Sequence, residues 1–168
     1  DLGMITDSMS IESDDLPEGV AVELTLTSVE TNILSGEISG TLPADTYYIN
    51  NDIYVEEGDT LHIQPGTEFI FAGGYYDEIS ASLIVNGVLK AIGTETDSII
   101  FKSSSDPEPG EHYHRWYGIT LNNQTEETVF EYVHISGAHG HQTEGSVISF
   151  INSNPILNHV TFTNFRGD

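Results

Sequence analysis

Histidine supplies the first candidate chemistry in this chain. Two pairs spaced i, i+2, His112-Tyr113-His114 and His139-Gly140-His141, place imidazoles on one side of an extended backbone, where neutral rings can ligate a transition metal. Brought together from neighbouring strands, His112, His114, His139 and His141 would form a metal site. Solvated loop histidines beside Gly and Pro are the commoner outcome of such a pattern. Aromatic rings come second: Tyr75, Tyr76, Tyr113, Trp116 and Tyr117 lie in or beside two loop-like stretches, and exposed rings stack on sugar faces. Trp116 also falls at a strand position, where it would serve to cover an edge of the core.

Carboxylates are the third resource. Asp14-Asp15, Glu56-Glu57-Gly58-Asp59 and Asp106-Pro107-Glu108 offer hard oxygens for calcium, although none has the spacing of a defined calcium loop. Asp77-Glu78 and Glu126-Glu127 are pairs of the type that glycoside hydrolysis uses, but that mechanism needs the two acids facing each other about 5 to 9 Å apart. Adjacent acids on an extended chain diverge. No catalytic residue follows from the pattern.

The surrounding composition narrows the partners. Asp and Glu number 27 against 4 Lys and Arg, giving a formal charge of -23 in 168 residues. Such a field repels phosphate backbones and anionic lipid, so nucleic acid is excluded as a partner and membrane insertion has no sequence support. No apolar run approaches the roughly 18 residues of a membrane span, and the N-terminus lacks a basic and hydrophobic signal. If the protein is exported, this is the mature form. With 38% hydrophobic residues the chain still builds a core, so the charge belongs to a solvated surface. Cysteine is absent, which removes disulfides, thiolate metal sites and Cys nucleophiles together. Extreme acidity without cysteine, with abundant Thr, Asn and Gly, suits an extracellular or cell-surface setting.

The elements that must position these residues are strands. Residues 52–72 and 81–102 share one scheme: an alternating apolar strand, a Gly turn, a second strand, Gly-Thr, and a third strand ending in Phe. A repeat of roughly 20 to 35 residues made only of strands is the pattern of a coiled solenoid. The predicted inward residues are Leu61, Ile63, Phe71, Leu83, Val85, Phe101, Ile119 and Leu121, and a fourth coil is predicted over Val147 to Ile151 and Ile156 to Phe162. Asn86, Asn122 and Asn152 follow the first strand of their coils and are placed to form an asparagine ladder. The insertions 73–80 and 103–115 leave the repeat as surface loops, where function would concentrate.

At Gly58-Asp59-Thr60-Leu61-His62-Ile63-Gln64-Pro65-Gly66-Thr67, at Leu83-Ile84-Val85-Asn86-Gly87-Val88-Leu89-Lys90-Ala91-Ile92-Gly93-Thr94 and at Trp116-Tyr117-Gly118-Ile119, the chain resembles right-handed parallel β-helix proteins. It is most similar to the secreted bacterial surface proteins with pectate-lyase-like repeats. The resemblance implies an all-β solenoid of about four coils over residues 36–168, preceded by an acidic N-terminal arm and strand over 1–35. Enzymes of that family carry calcium-binding Asp clusters and a basic Arg or Lys that abstracts a proton. Here Lys90 and Lys102 lie inside repeat strands, and Arg115 and Arg166 have no surrounding motif. The resemblance therefore carries over no catalytic residue.

Calcium is the one cofactor that the acidic surface invites. The expected function is a non-catalytic extracellular structural or adhesive solenoid, a self-associating fibre subunit or a segment of a larger surface exoprotein. The alternative is a carbohydrate-active enzyme or a carbohydrate-binding module acting on cell-surface polysaccharide. For self-association through the solenoid ends, the candidate residues are Val22, Leu24 and Leu26 in the alternating strand 20–29, and Phe162 and Phe165 beside the last repeat strand.

Overall fold

The computed structural model of the chain describes residues 32–73, 80–105, 115–123, 127–139 and 147–165. Two compact units divide at Thr31 and Asn32, and the second, all-β, is the one described. Its first strand begins a few residues ahead of the boundary expected at 35 and 36. No helix occurs among the described residues. The strands are β1 (Asn32–Glu37), β2 (Gly40–Leu42), β3 (Thr46–Val55), β4 (Thr60–Ile63), β5 (Glu68–Phe71) and β6 (Ser82–Val85). They continue with β7 (Val88–Ile92), β8 (Ile99–Ser103), β9 (Gly118–Asn122), β10 (Val129–Ser136), β11 (Ile148–Ile151) and β12 (Ile156–Thr163). All belong to one sheet, and every pairing between them is parallel.

The registers arrange the strands in three columns. In the first, Leu42 pairs with Ile63, Ile63 with Ala91, Ala91 with Phe130 and Phe130 with Leu157. The second carries Tyr47 to Phe69, Phe101, Ile135 and Phe162 through the start of β3, β5, β8 and the ends of β10 and β12. In the third, Val55 leads to Val85, Leu121 and Phe150 through the end of β3, then β6, β9 and β11. Parallel strands cannot be joined by a tight hairpin, so each pairing spans a long excursion of the chain through the other columns.

Alternation decides which side chains enter the core. All eight predicted inward residues are buried, as are Ile53, Val55, Phe69, Leu89 and Ile99. Aromatic rings stack along the columns: Phe69 lies 5.7 Å from Tyr47 and 5.0 Å from Phe101 between ring centroids, the latter pair only 9° from coplanar. The last strands behave differently. Phe150, Leu157 and Phe162 occupy inward register positions, yet they are exposed, together with Ile151, Ile156 and Phe165. Inward burial expected for the fourth coil is thus not observed, because no described strand lies beyond β11 and β12 to cover it.

The asparagine ladder forms with a shift. Asn122 donates from Nδ2 to Asn86 Oδ1 at 3.1 Å, and Asn86 donates to Glu56 Oε2 at 3.3 Å, so the ladder ends on a carboxylate. Asn152 does not join it. Ile151 is the register partner of Asn122, and Asn152 instead donates to Asn123 Oδ1 at 2.9 Å. Asn123 and Asn152 both take left-handed backbone, with φ of 45° and 50°, a region that Asn tolerates better than most residues.

Corners between columns are tight enough to exclude side chains. A Cβ on Gly87 would sit within the contact radius of the Glu56 and Asp59 carbonyl oxygens, both backbone atoms of the preceding turn. The Gly87→Ala change is therefore expected to cost about 1 to 3 kcal/mol, read as a lower urea midpoint at unchanged slope. Tyr47 yields a second expectation. Its ring is buried and its hydroxyl donates to the Pro43 carbonyl at 3.1 Å; burial, with Asp45 nearby, raises its pKa above the ordinary 10.0. The folded state prefers the neutral phenol, so this contribution is complete below the unfolded pKa of about 10 and is lost as pH rises through the folded value. Denaturant melts above pH of about 10 should show a steeper loss of stability in the wild type than in Tyr47→Phe.

Candidate functional site

One corner of the coil, where the second column turns into the third, collects the insertions. On its wall Ala72 N donates to Ile49 O at 2.7 Å, Ala81 N to Ala72 O at 3.1 Å, Tyr117 N to Ala81 O at 3.0 Å and His139 N to Trp116 O at 3.0 Å. A parallel bridge joins Trp116 to Ala138. The segments 74–79, 106–114 and 140–146 all leave and rejoin the described chain at this corner. In β3 the same corner is crossed by Asn50, Asn51 and Asp52 without any insertion.

Several polar groups on the wall are used for structure. Asp52 Oδ1 accepts the Ser82 backbone N–H at 2.8 Å, and Asp52 Oδ2 accepts the Tyr54 hydroxyl at 3.2 Å. The Asp52 charge, with a smaller contribution from burial, holds the Tyr54 hydroxyl above its usual pKa. Arg115 is buried and donates to the Asn164 carbonyl, which ties the end of β12 to the start of the third column. On the first column, Thr128 Oγ1, fully buried, accepts the Leu89 N–H at 3.0 Å. None of these roles was legible in the sequence, because each links residues some 30 to 50 positions apart with no local signature.

The candidate residues separate into three groups. Tyr75, Tyr76, Tyr113, His112, His114 and His141 lie outside the described residues, as do Val22, Leu24 and Leu26. Tyr117 and His139 do meet, with ring centroids 6.1 Å apart and planes tilted by 40°, and both are half-buried. Phe162 and Phe165 are exposed. Trp116, expected as a sugar platform or an edge cover, is fully buried: it stacks on Phe71 at 4.1 Å and donates from Nε1 to Ser136 O at 2.8 Å. A ring enclosed in this way has no face to offer a ligand.

The remaining described histidines are dispersed. His134 Nε2 lies 3.0 Å from Thr163 Oγ1, His159 stacks on Tyr132 at 4.4 Å, and His62 pairs across the first column with Thr41 and Lys90. Among the described residues, no group of three or more His, Asp or Glu is arranged to hold a metal ion. Glu57, Asp59, Asn86 and Asn123 line a shallow polar cleft at the corner between the third and first columns. The Lys102 ammonium is taken up by Glu68 at 2.6 Å on the outer face of the second column.

No family model matches the chain, and no solved structure matches it. Over 83 residues the chain is 34% identical to Protein bark beetle of Drosophila melanogaster, a stretch that is 48% of this chain and 2% of that protein. The chain thus spans a very small part of the length of that relative.

Burial of the chain's one tryptophan gives a direct test. Acrylamide should quench its emission poorly in the native state, and polysaccharides should leave the emission unchanged. Trp116→Ala should cost about 3 to 5 kcal/mol of stability, measured by urea titration.

Proposed function

We propose that this chain is a non-catalytic structural β-solenoid, a right-handed parallel β-helix of about four coils similar to the pectate-lyase-like repeats, acting outside the cell or at its surface. The observation that carries this reading is the unbroken parallel register of three columns around a single apolar core. Such a coil is stiff along its axis and spends its interior on packing, with Trp116 and the Phe stack filling the space that an internal ligand cavity would need. The partial likeness to one small portion of a much longer protein supports a role as a segment of a larger assembly or exoprotein.

The acidic exterior keeps such a rod soluble and unattached to nucleic acid, and calcium in the surroundings would screen it without a dedicated site. A second reading, binding of cell-surface polysaccharide, is favoured by one feature: the three insertions share a corner, with Tyr117 and His139 at its base. Incubation with plant, algal and bacterial polysaccharides, with and without calcium, separates the two. The structural reading expects no new reducing ends or unsaturated products and no retardation in affinity electrophoresis. Turnover that vanishes when a single acidic residue is changed would establish an enzyme instead.

A further inference from the structure

The end of the coil formed by β11 and β12 differs from the rest of the molecule in two independent respects. Six of the nine large apolar side chains exposed among the described residues lie there, at 37% to 53% exposure: Phe150, Ile151, Ile156, Leu157, Phe162 and Phe165. In addition, residues 147–165 contain no Asp, Glu, Lys or Arg, in a chain that has 27 acids. Natural edge strands are blunted by charge, and an apolar, charge-free edge is the composition of the centre of an interface. Phe150, Leu157 and Phe162 continue the inward rows of Leu121, Phe130 and Ile135, each of which is fully buried by the coil above it. One more parallel layer would bury them in the same way.

The topology specifies what that layer must be. At this end the first and second columns stop at β12, whereas the third stops one coil earlier at β11. At the opposite end the second and third columns start at β1, whereas the first starts one coil later at β2. Two copies set head to tail therefore cannot join β1 and β2 directly onto β11 and β12. A strand occupying the third column and then the first is missing between them. Residues 20–29, VAVELTLTSV, have the required properties: ten residues of period-2 alternation, β-branched and apolar on one side, with Glu23 as their one charge. In sequence they stand directly ahead of β1, the strand that would follow in the second column.

We propose that the strand 20–29 of a second copy of this chain adds in parallel to β11 and the first half of β12, joining copies head to tail. Val20, Val22, Leu24 and Leu26 of that strand would cover the rows ending at Phe150 and Leu157. This rests on the structural β-solenoid reading, and it names the partner of the solenoid's exposed end. The contact is heterologous, so it propagates into filaments and does not close as a two-fold dimer. Mutual repulsion at -23 per copy opposes it, and screening by salt favours it.

The test is sedimentation velocity of the full chain at low salt and at about 0.5 M NaCl, where repulsion beyond a few ångströms is screened. Concentration-dependent oligomers that grow with salt are expected. Leu24→Lys with Leu26→Lys in one variant, and Leu157→Lys with Phe162→Lys in another, should each raise the dissociation constant at least about tenfold, since each buries an unpaired charge. Far-UV circular dichroism should be unchanged in both. Mixed together, the two variants should form a one-to-one heterodimer that grows no further, because one intact interface remains. A wild-type chain that stays monomeric in high salt overturns the proposal, as does assembly that survives the Leu24 and Leu26 changes. A polysaccharide-cleaving but self-associating chain would instead fail the structural reading while leaving this interface standing.

Discussion

Stacking of parallel strands in fixed register is the constraint on which the rest of this molecule depends. Each inward side chain must land on the inward side chain of the neighbouring coil, because a slip of one residue would turn the whole strand inside out. Burying a Leu, Ile or Phe contributes about 1.5 to 3 kcal/mol, against about 0.5 to 1.5 kcal/mol net for a backbone hydrogen bond. Register is therefore held chiefly by the rows Leu42 to Leu157, Tyr47 to Phe162 and Val55 to Phe150, and the hydrogen-bonded ladder follows. Extra residues cannot be absorbed within a strand without breaking a row. They leave at corners, and the three long insertions leave at the same one.

This constraint explains why the fold was legible and the site was not. Alternation at Leu61 and Ile63, at Leu83 and Val85, and at Ile119 and Leu121 is a local signal that each strand carries by itself, and it identifies the buried face directly. Trp116 was ambiguous because its position in the repeat is both the start of a strand and the end of an insertion. The structure places its ring on Phe71, forty-five positions away, a relation no local window contains. The asparagine ladder was half legible for a related reason. Asn86 and Asn122 are separated from their strands alike, but the register of β11 puts Ile151 opposite Asn122 and moves Asn152 one place along.

Polar side chains complete what the columns leave open. Asp52 and Thr128 each accept a backbone N–H of the next coil, and Glu56 closes the amide ladder, so two of the chain's acids hold the coil together while most face solvent. A carboxylate used in this way is no longer available as a catalyst or as one of a set of metal ligands. The same argument applies to Arg115, whose guanidinium lies buried against the Asn164 carbonyl, and to Lys102, which is paired with Glu68. Cations are scarce in this chain, and these two hold strands in place.

Charge and apolar exposure divide the surface along the coil axis. The sides carry acids at Glu37, Asp52, Glu56, Glu57, Asp59, Glu68, Glu95, Asp97, Glu127 and Glu131, where outward strand positions and corners face water at little cost. From residue 147 to 165 the acids stop, at the point where the inward rows emerge uncovered. A solvated end would have no reason to exclude charge, since every other exposed part of the chain tolerates it. Exclusion of charge and exposure of the core rows coincide because both are consequences of one requirement: the last strands must accept another parallel layer, and a carboxylate in that plane would be desolvated without a partner.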